Sequence, residues 1–142
     1  MVLEIVDVTP GSSESWREVH NLIIPTDPLS ADDVQERLVR NALTLAYDGE
    51  ALVGNATIRP PAPADGIATV IVRILPAHRR QGHGSEYLQA MLDRAREFGA
   101  KGISTVVLAA NNEGLHFAER HGFAETERYT VDDAEYVHLS LS

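Results

Sequence analysis

The sequence predicts an α/β domain in which a mixed, mostly antiparallel sheet of about seven strands carries helices on both faces. Runs rich in β-branched residues recur along the chain, and segments with apolar residues at helical spacing separate them. Short turns rich in Gly, Pro and Asp lie between these segments. With 142 residues, of which 44% are apolar, the chain suits one domain, residues 1–142, with a buried core.

The first half of the chain predicts a strand, two helices and a β-hairpin. The segment Ser30-Ala-Asp-Asp33 has the spacing of a capping box and opens the second helix, whose apolar face would hold Val34, Leu38 and Val39. The turn Asp48-Gly49-Glu50 joins two runs of β-forming residues, which indicates a hairpin. The predicted strands are residues 3–8, 43–47 and 51–58, and the predicted helices are residues 12–24 and 31 onwards.

The second half predicts a central strand, the clearest helix of the chain and a closing set of strands. The run 68–75 is almost entirely β-branched or aliphatic, as in a strand buried on both faces. Tyr87 and Phe98 of the following helix, like Trp16, are expected in the core. Further predicted elements are a helix at 84–98, a strand at 103–108, a helix capped by Asn111 or Asn112, and strands at 123–130 and 135–141.

The composition argues against several classes of function. A net charge of −9 argues against a nucleic-acid partner, whose phosphates need a basic surface. The chain has no cysteine for a disulfide, a thiolate metal site or an acyl-cysteine intermediate, and its six histidines lack metal-ligand spacing, so we expect no metal. We also expect no membrane partner and a cytoplasmic location, because neither an apolar run of roughly 20 residues nor a signal peptide is evident.

One segment departs from the acidic character of the chain. Residues 66–85 contain Arg73, Arg79 and Arg80 but no acidic residue, so they carry +3. A positive segment in an acidic protein suggests a local anionic ligand, although three arginines can also fall together by chance.

The strongest chemical signal lies in the same region, between Val70 and Ser85. A buried strand ends at Pro76, a short loop with Gly82 and Gly84 follows, and a long helix begins at once. Glycine lets a backbone approach a ligand closely, and the free N–H groups and dipole of a helix start favour an anion. The pattern predicts a pyrophosphate cradle made of backbone amides, with a plain strand–turn–helix connection as the alternative.

Two common nucleotide motifs do not fit this loop. A Walker A loop needs a lysine before the serine, but Gly84 precedes Ser85. A dinucleotide fingerprint needs a further glycine at position 87, which is Tyr87.

Two other patterns match a known family. Arg79-x-x-Gly82-x-Gly84, placed after a strand and opening a helix, resembles the acyl-CoA signature Q/R-x-x-G-x-G/A of the GNAT superfamily of N-acetyltransferases. The segment from Asn111 to Gly122-Phe123 resembles the closing motif of that family, an Asn, a helix and a Gly-Phe pair that leads into a strand. The resemblance covers roughly residues 43–125, and the predicted element order extends it to the whole chain.

The resemblance implies a role for each matching position. The backbone of the central strand would hold the pantetheine arm, the loop amides would hold the pyrophosphate, and Asn111 would bind near the pantetheine end. The backbone N–H of Ile74 would donate to the thioester carbonyl as an oxyanion donor, and with Asn111 it forms the expected catalytic set. The expected cofactor-binding residues are Val72, Arg73, Ile74, Arg79, Arg80, Gln81, Gly82, His83, Gly84, Ser85, Asn111 and Phe117.

The chain departs from the family at the proton-transfer positions. Ala118 stands where the family often has a tyrosine that protonates the leaving thiolate, and the strands 70–75 and 103–108 contain no Asp or Glu that could act as a base. Tyr129 and Tyr136 are the nearest phenols that the predicted topology offers. These departures favour a rival interpretation, a non-catalytic acyl-CoA-binding or regulatory module on the same fold.

Two further features bear on the acceptor. Arg73 interrupts an apolar strand, so it would face solvent, pair with a carboxylate or contact an acidic group of the substrate. The two early helices, which flank the acceptor site in the family, would either attract a cationic amine or form a solvated surface. Their acidic residues are Glu14, Glu18, Asp32, Asp33 and Glu36.

The resemblance implies direct transfer of an acetyl group from acetyl-CoA, as co-substrate, to a primary amine. Both substrates would share one groove, and water would take the proton of the amine. The acceptor, a small molecule or a peptide, stays open, as do the acyl donor beyond acetyl-CoA and the choice between monomer and homodimer.

Overall fold

A computed structural model describes residues 2–141, which form a seven-stranded sheet with four α-helices. The predicted fold class and element order are confirmed. The strands are β1 (Glu4–Asp7), β2 (Ala42–Asp48), β3 (Ala51–Arg59), β4 (Ile67–Ile74), β5 (Gly102–Leu108), β6 (Phe123–Val131) and β7 (Ala134–Leu141). The helices are α1 (Ser13–Ile23), α2 (Ala31–Arg40), α3 (His83–Glu97) and α4 (Asn112–Arg120), with a 3₁₀ turn at Pro76–His78.

The sheet has the order β1-β2-β3-β4-β5-β7-β6, and all its neighbouring strands are antiparallel except β4 and β5. The parallel pair is joined only from Ile67↔Gly102 to Thr69↔Ser104. Beyond Thr69, β4 continues to Ile74 beside β3, and β5 continues to Leu108 beside β7. The two strands therefore separate towards their C-terminal ends, and a gap opens in the middle of the sheet.

Helices cover both faces of the sheet, and each face has its own core. On one face, Tyr87 and Met91 of α3 pack against Val70 of β4. On the other face, Trp16 of α1 and Val34 of α2 pack in a second cluster with strand side chains. Since side chains alternate along a strand, β4 presents Val70, Val72 and Ile74 to α3 and presents Arg73 to α1.

The helix starts follow the predicted local chemistry. The N–H of Asp33 donates to Ser30 Oγ at 3.1 Å, and the N–H of Ser30 donates to Asp33 Oδ2 at 2.9 Å, so the capping box is confirmed. Asn111 caps α4, since its Oδ1 accepts from the N–H of Gly114 at 2.9 Å.

Two core predictions are wrong. The side chain of Val39 is 87% exposed, and that of Phe98 is 46% exposed. Successive residues of a helix point in directions about 100° apart around its axis, so Val39 points away from the buried apolar face that contains Val34. Phe98 stands at the C-cap of α3, past the last turn that packs on the sheet. Trp16 and Tyr87 are fully buried, as expected.

Candidate active site

A groove of about 760 Å³ opens where β4 and β5 separate. On one face of the sheet its lining includes Gly84 and Leu88 of α3 and Phe117 of α4. On the other face it reaches Ile23 at the end of α1, together with Ile24. The gap between the strands thus connects the two faces of the sheet.

Most of the predicted site residues lie together in this groove. Gln81 and His83 are not part of its lining; Gln81 is exposed, and the side chain of His83 is buried elsewhere. The predicted residues that do line it are Val72, Arg73, Ile74, Arg79, Arg80, Gly82, Gly84, Ser85, Asn111 and Phe117. Their individual roles stay predictions.

The main chain of β4 directs hydrogen-bonding groups into the gap. The N–H of Leu75 donates to the carbonyl of Val53 in β3 at 2.8 Å. Along an antiparallel strand, residues whose main-chain groups bond to the partner strand alternate with residues whose main-chain groups point away from it. The N–H and C=O groups of Ile74 and Val72 therefore point away from β3. The carbonyl oxygen of Ile74 accepts from Arg79 Nε at 2.8 Å, which agrees with this direction. The N–H of Ile74 thus points into the gap, and its role as an oxyanion donor stays a prediction.

The loop before α3 leaves backbone donors unused. Gly82 is the N-cap of α3 with φ of 83°, and no side chain caps the helix. The first helical bond runs from the N–H of Glu86 to the carbonyl of Gly82, so the N–H groups of the first turn have no partner within the helix. A β-carbon added at Gly82 would meet nothing within 4 Å, so there is room beside the loop. A β-carbon added at Gly84 would lie 3.1 Å from Phe117 Cε1. Position 84 is therefore a glycine because α3 and α4 approach each other closely there.

Glu113, an acidic residue that the sequence did not single out, lies in the groove beside the loop that precedes α3. Glu113 Oε1 lies 3.1 Å from Arg80 Nη2, and Glu113 Oε2 lies 4.0 Å from Arg79 Nη1. Glu113 is in the first turn of α4 and lines the groove. No local sequence signal marks it, because Arg80 and Glu113 are 33 positions apart and meet only through the fold.

The side chain of His83 points away from the expected ligand. It is buried, and its Nε2 lies 3.6 Å from Asp48 Oδ2 at the end of β2. A cofactor contact through the imidazole is therefore excluded, and only the main chain of His83 remains beside the loop, as expected from its position between two glycines.

The side chain of Arg73 is neither exposed nor paired with a carboxylate, so both structural expectations for it are wrong. The residue is 6% exposed, and its Nη1 lies 3.3 Å from both Asn55 Oδ1 and Thr57 Oγ1. Its guanidinium lies over the ring of Trp16 at 5.6 Å. No carboxylate within residues 2–141 comes within 4.0 Å. The arginine is enclosed because β4 is central and α1 covers this face.

Burial and charge shift the titration of the groups under α1. Burial lowers the pKa of Arg73 to about 9, and the nearby charges of Arg37 and Arg59 add to the effect. Burial likewise lowers the pKa of His20 to about 4, with a further contribution from Arg73. Arg73 is therefore charged and His20 neutral at pH 7.

A histidine that the sequence did not single out, His121, lies beside the groove and contacts two residues of its lining. Ala118 is buried and lines the groove. Nearby, His121 Nε2 lies 3.0 Å from Ser85 Oγ, and the imidazole packs on Phe117 at 4.4 Å. Tyr129 and Tyr136 stack on each other at 5.8 Å, and neither lines the groove.

The acidic residues of α1 and α2 form a solvated surface. All five are exposed, and none lines the groove. Glu14 pairs with Arg17 at 2.7 Å, and Glu36 pairs with Arg40 at 3.3 Å, each within its own helix.

Neither a cluster of metal-binding side chains nor a membrane-spanning helix is present among residues 2–141. No three His, Asp or Glu side chains there are close enough to share a metal ion. None of the helices described combines the length and apolarity required to traverse a bilayer.

Comparison with known proteins identifies the family. The Acetyltransferase (GNAT) family model matches residues 12–123. A mycothiol acetyltransferase from Streptosporangium roseum is 44% identical over 55 residues, which are 39% of this chain and 16% of the length of that protein. Our chain thus matches only a small part of that relative.

Solved structures show the same fold at low sequence identity. Ard1 from Thermoplasma volcanium superposes with a TM-score of 0.85 at 18% identity, over 99% of this chain and 97% of that one. The structure of yncA from Salmonella typhimurium with its cofactor acetyl-CoA superposes with a TM-score of 0.79 at 16% identity, over 99% and 94% of the two chains. The chain with the divided sheet and the glycine loop is a member of the GNAT acetyltransferase family.

Proposed function

We propose that this protein transfers an acetyl group from acetyl-CoA directly to a primary amine. The observation that carries the proposal is the gap between β4 and β5, whose groove runs from the glycine loop on one face of the sheet to Ile23 and Ile24 on the other. Two substrates can meet in such a gap, and holding reactants together lowers the barrier of their reaction.

The residues present fit acetyl-CoA. The unpaired N–H groups at the start of α3 and the open space beside Gly82 suit a pyrophosphate. Arg79 and Arg80 add positive charge to the loop side of the groove. The exposed edge of β4 offers the N–H and C=O groups of Val72 to the amides of a pantetheine arm.

Acetyl-CoA supplies the activated acyl group as a thioester. The N–H of Ile74 would donate to the carbonyl oxygen as negative charge develops there, and this stabilises the transition state more than the ground state. Arg79 binds the carbonyl of Ile74, which is in the peptide unit that follows this donor, and so restrains the end of β4.

Proton transfer falls mainly to water. Glu113 is the single acid in the lining of the groove, and both its oxygens face arginines. His116 also lines the groove, so the attacking amine would lose its proton to solvent or to that imidazole. A thiolate is a tolerable leaving group near neutral pH, since a simple thiol has a pKa of about 8.5.

A second function has specific support. Ala118 leaves the usual position of the acid without a proton donor, and β4 and β5 carry no carboxylate. Both facts favour a non-catalytic acyl-CoA-binding or regulatory module. In that case the groove would bind acetyl-CoA without turnover.

Binding and turnover assays together separate the two functions. Acetyl-CoA should raise the melting temperature, because a ligand that binds only the folded state stabilises it. A panel of small amines, amino acids and peptides should then reveal an acceptor through release of free CoA thiol. Binding without turnover on any amine would favour the regulatory module, and the absence of any shift in melting temperature would contradict both functions.

A further inference from the structure

Within residues 2–141, Arg73 is a buried cation without a counter-ion, and it lies on the α1 side of the groove. Its residue is 6% exposed, and its two hydrogen bonds, both 3.3 Å long, go to the neutral side chains of Asn55 and Thr57. Its Nε is buried and has no hydrogen-bond partner in the part of the chain that the structure describes. The groove lining includes Arg73, and the neighbouring lining residue on the α1 side is Ile23 rather than an acid.

The surroundings of Arg73 increase the need for an anion. Burial of a charge is costly unless an opposite charge or several strong hydrogen bonds compensate it. Here the charged groups that act on Arg73 include Arg37 and Arg59, which are cations. The neighbouring His20 is neutral, because burial and Arg73 keep its pKa at about 4. Asp27 acts on His20, but no carboxylate of residues 2–141 pairs with Arg73 within 4.0 Å.

Arg73 lies next to Ile74, whose backbone N–H is the expected oxyanion donor. It directly follows Val72 and precedes Ile74, whose N–H points into the gap. Successive side chains of a strand point to opposite faces, so Arg73 projects towards α1 while the loop of α3 lies on the other side. An anion held by Arg73 would thus belong to the molecule that enters from the α1 face, which is the acceptor rather than acetyl-CoA.

We propose that Arg73 recognises an anionic group on the amine acceptor, so that the acceptor is a small amino-acid-like molecule with an amine and a carboxylate. This inference rests on the proposed acetyl transfer and narrows its acceptor. It disfavours polyamines, because the groove lining contains four arginines, Arg73, Arg79, Arg80 and Arg120, against Glu113.

Acceptor pairs that differ only in the carboxylate test the proposal. Each amino acid is compared with its own amide, and spermidine serves as a cationic acceptor without an anion. The wild type should prefer the acid in kcat/KM by about a hundredfold or more, because a site built for a charged group rejects an analogue that lacks it. Preference for the amides or for spermidine would overturn the proposal.

Variants then assign the preference to Arg73. Arg73→Gln should reduce the acid-to-amide ratio to less than about fivefold, chiefly through a higher KM for the acid. Arg73→Lys, which keeps the charge, should reduce the ratio about tenfold, since lysine lacks the planar fork that binds a carboxylate through two bonds. Arg40→Gln, on the exposed side of α2, is the control and should leave the ratio unchanged. An unchanged ratio in either Arg73 variant that folds would contradict the assignment.

A binding measurement separates this proposal from the acetyl-transfer function itself. With CoA present, an amino acid should raise the melting temperature of the wild type more than its amide does, and Arg73→Lys should reduce that difference. A shift with acetyl-CoA but no difference between acid and amide would overturn the role of Arg73 alone. Absence of turnover despite a carboxylate-dependent shift would instead contradict the proposed transfer reaction.

Discussion

Arg79 Nε donates a 2.8 Å hydrogen bond to the carbonyl oxygen of Ile74, which ties the start of the glycine loop to the end of β4. Arg80, in contrast, is directed to the surface. Its side chain is 84% exposed, and it pairs with Glu113 at 3.1 Å. The two adjacent arginines of the same motif therefore have different tasks. Arg79 fixes the shape of the loop, whereas Arg80 contributes charge at its surface.

The first prediction compares these two arginines. Arg79→Met should weaken acetyl-CoA binding by about ten- to a hundredfold, the range of a lost charged hydrogen bond of about 1.5–3 kcal/mol. Arg80→Met should weaken it by less than about fivefold, because exposed ion pairs contribute at most about 1 kcal/mol. Calorimetric titration with acetyl-CoA measures both. Equal losses in the two variants would show that Arg79 acts only through its charge.

The second prediction concerns the glycine loop. Gly82 has a φ of 83° and Gly49, in the hairpin turn between β2 and β3, has a φ of 61°, and an added β-carbon meets nothing within 4 Å at either site. Valine at each position should therefore strain the backbone similarly, by about 1–2 kcal/mol. The Gly82→Val variant should also lose the rise in melting temperature with acetyl-CoA, because the branched side chain occupies the phosphate-binding space.

Gly49→Val is the matched control and should keep the rise with acetyl-CoA. Gly84→Val should lose it as well, since its side chain is forced against Phe117 and disturbs the contact of α3 with α4. A full rise in both Gly82→Val and Gly84→Val would remove the loop from the binding site.

The third prediction concerns kinetic order. The chain has no cysteine to carry an acyl group, and the two ends of the groove meet in one gap. Both substrates should therefore be bound together, and initial-rate plots against the concentrations of both should intersect. Parallel lines, or isolation of an acylated protein, would mean that another nucleophile such as a serine holds the acetyl group.

The fourth prediction concerns protonation of the leaving thiolate. Tyr129 and Tyr136 stack on each other outside the groove lining. Tyr129→Phe and Tyr136→Phe should each lower kcat by less than about tenfold, below the range of about 10²–10⁴ that general acid catalysis supplies. Steady-state rates with saturating acetyl-CoA test this. A loss above about a hundredfold with unchanged acetyl-CoA affinity would identify a relocated acid.

The fifth prediction concerns stability against acid. The pKa of His20 is about 4 in the folded protein, against 6.5 ordinarily. Between these values the unfolded chain binds the proton and the folded protein does not, so stability is complete above pH 6.5 and falls as the pH drops towards 4. The loss from His20 should reach about 2–3 kcal/mol near pH 4.5.

Chemical denaturation at pH 7.5 and pH 4.5 measures this loss. His20→Phe, which keeps a ring against Trp16, should show a smaller drop in the free energy of unfolding than the wild type by that amount. His116→Gln, in which an exposed histidine is replaced, should behave like the wild type. Equal drops in all three proteins would show that His20 does not titrate as an isolated buried group.

The sequence by itself determined the features that depend on neighbouring residues. The order of strands and helices follows from apolar periodicity, and the caps at Ser30 and Asn111 follow from side chains within three positions of their partners. The glycine loop and the Asn-to-Gly-Phe segment could be recognised in the sequence for the same reason. Each is a short motif whose parts are joined by the chain itself, so the family could be inferred before any tertiary contact was known.

Tertiary structure alone decided the features that join distant positions. The separation of β4 from β5 turns two motifs into one groove. Glu113 reaches Arg80 across 33 positions, and His121 reaches Ser85 across 36. Arg73 looked like a surface or ion-paired residue, yet α1 encloses it against Trp16 without a counter-ion. The sequence shows that residue 73 is charged. The free-energy cost of burying that charge depends on the groups around it, and the packing of the whole sheet decides which groups those are.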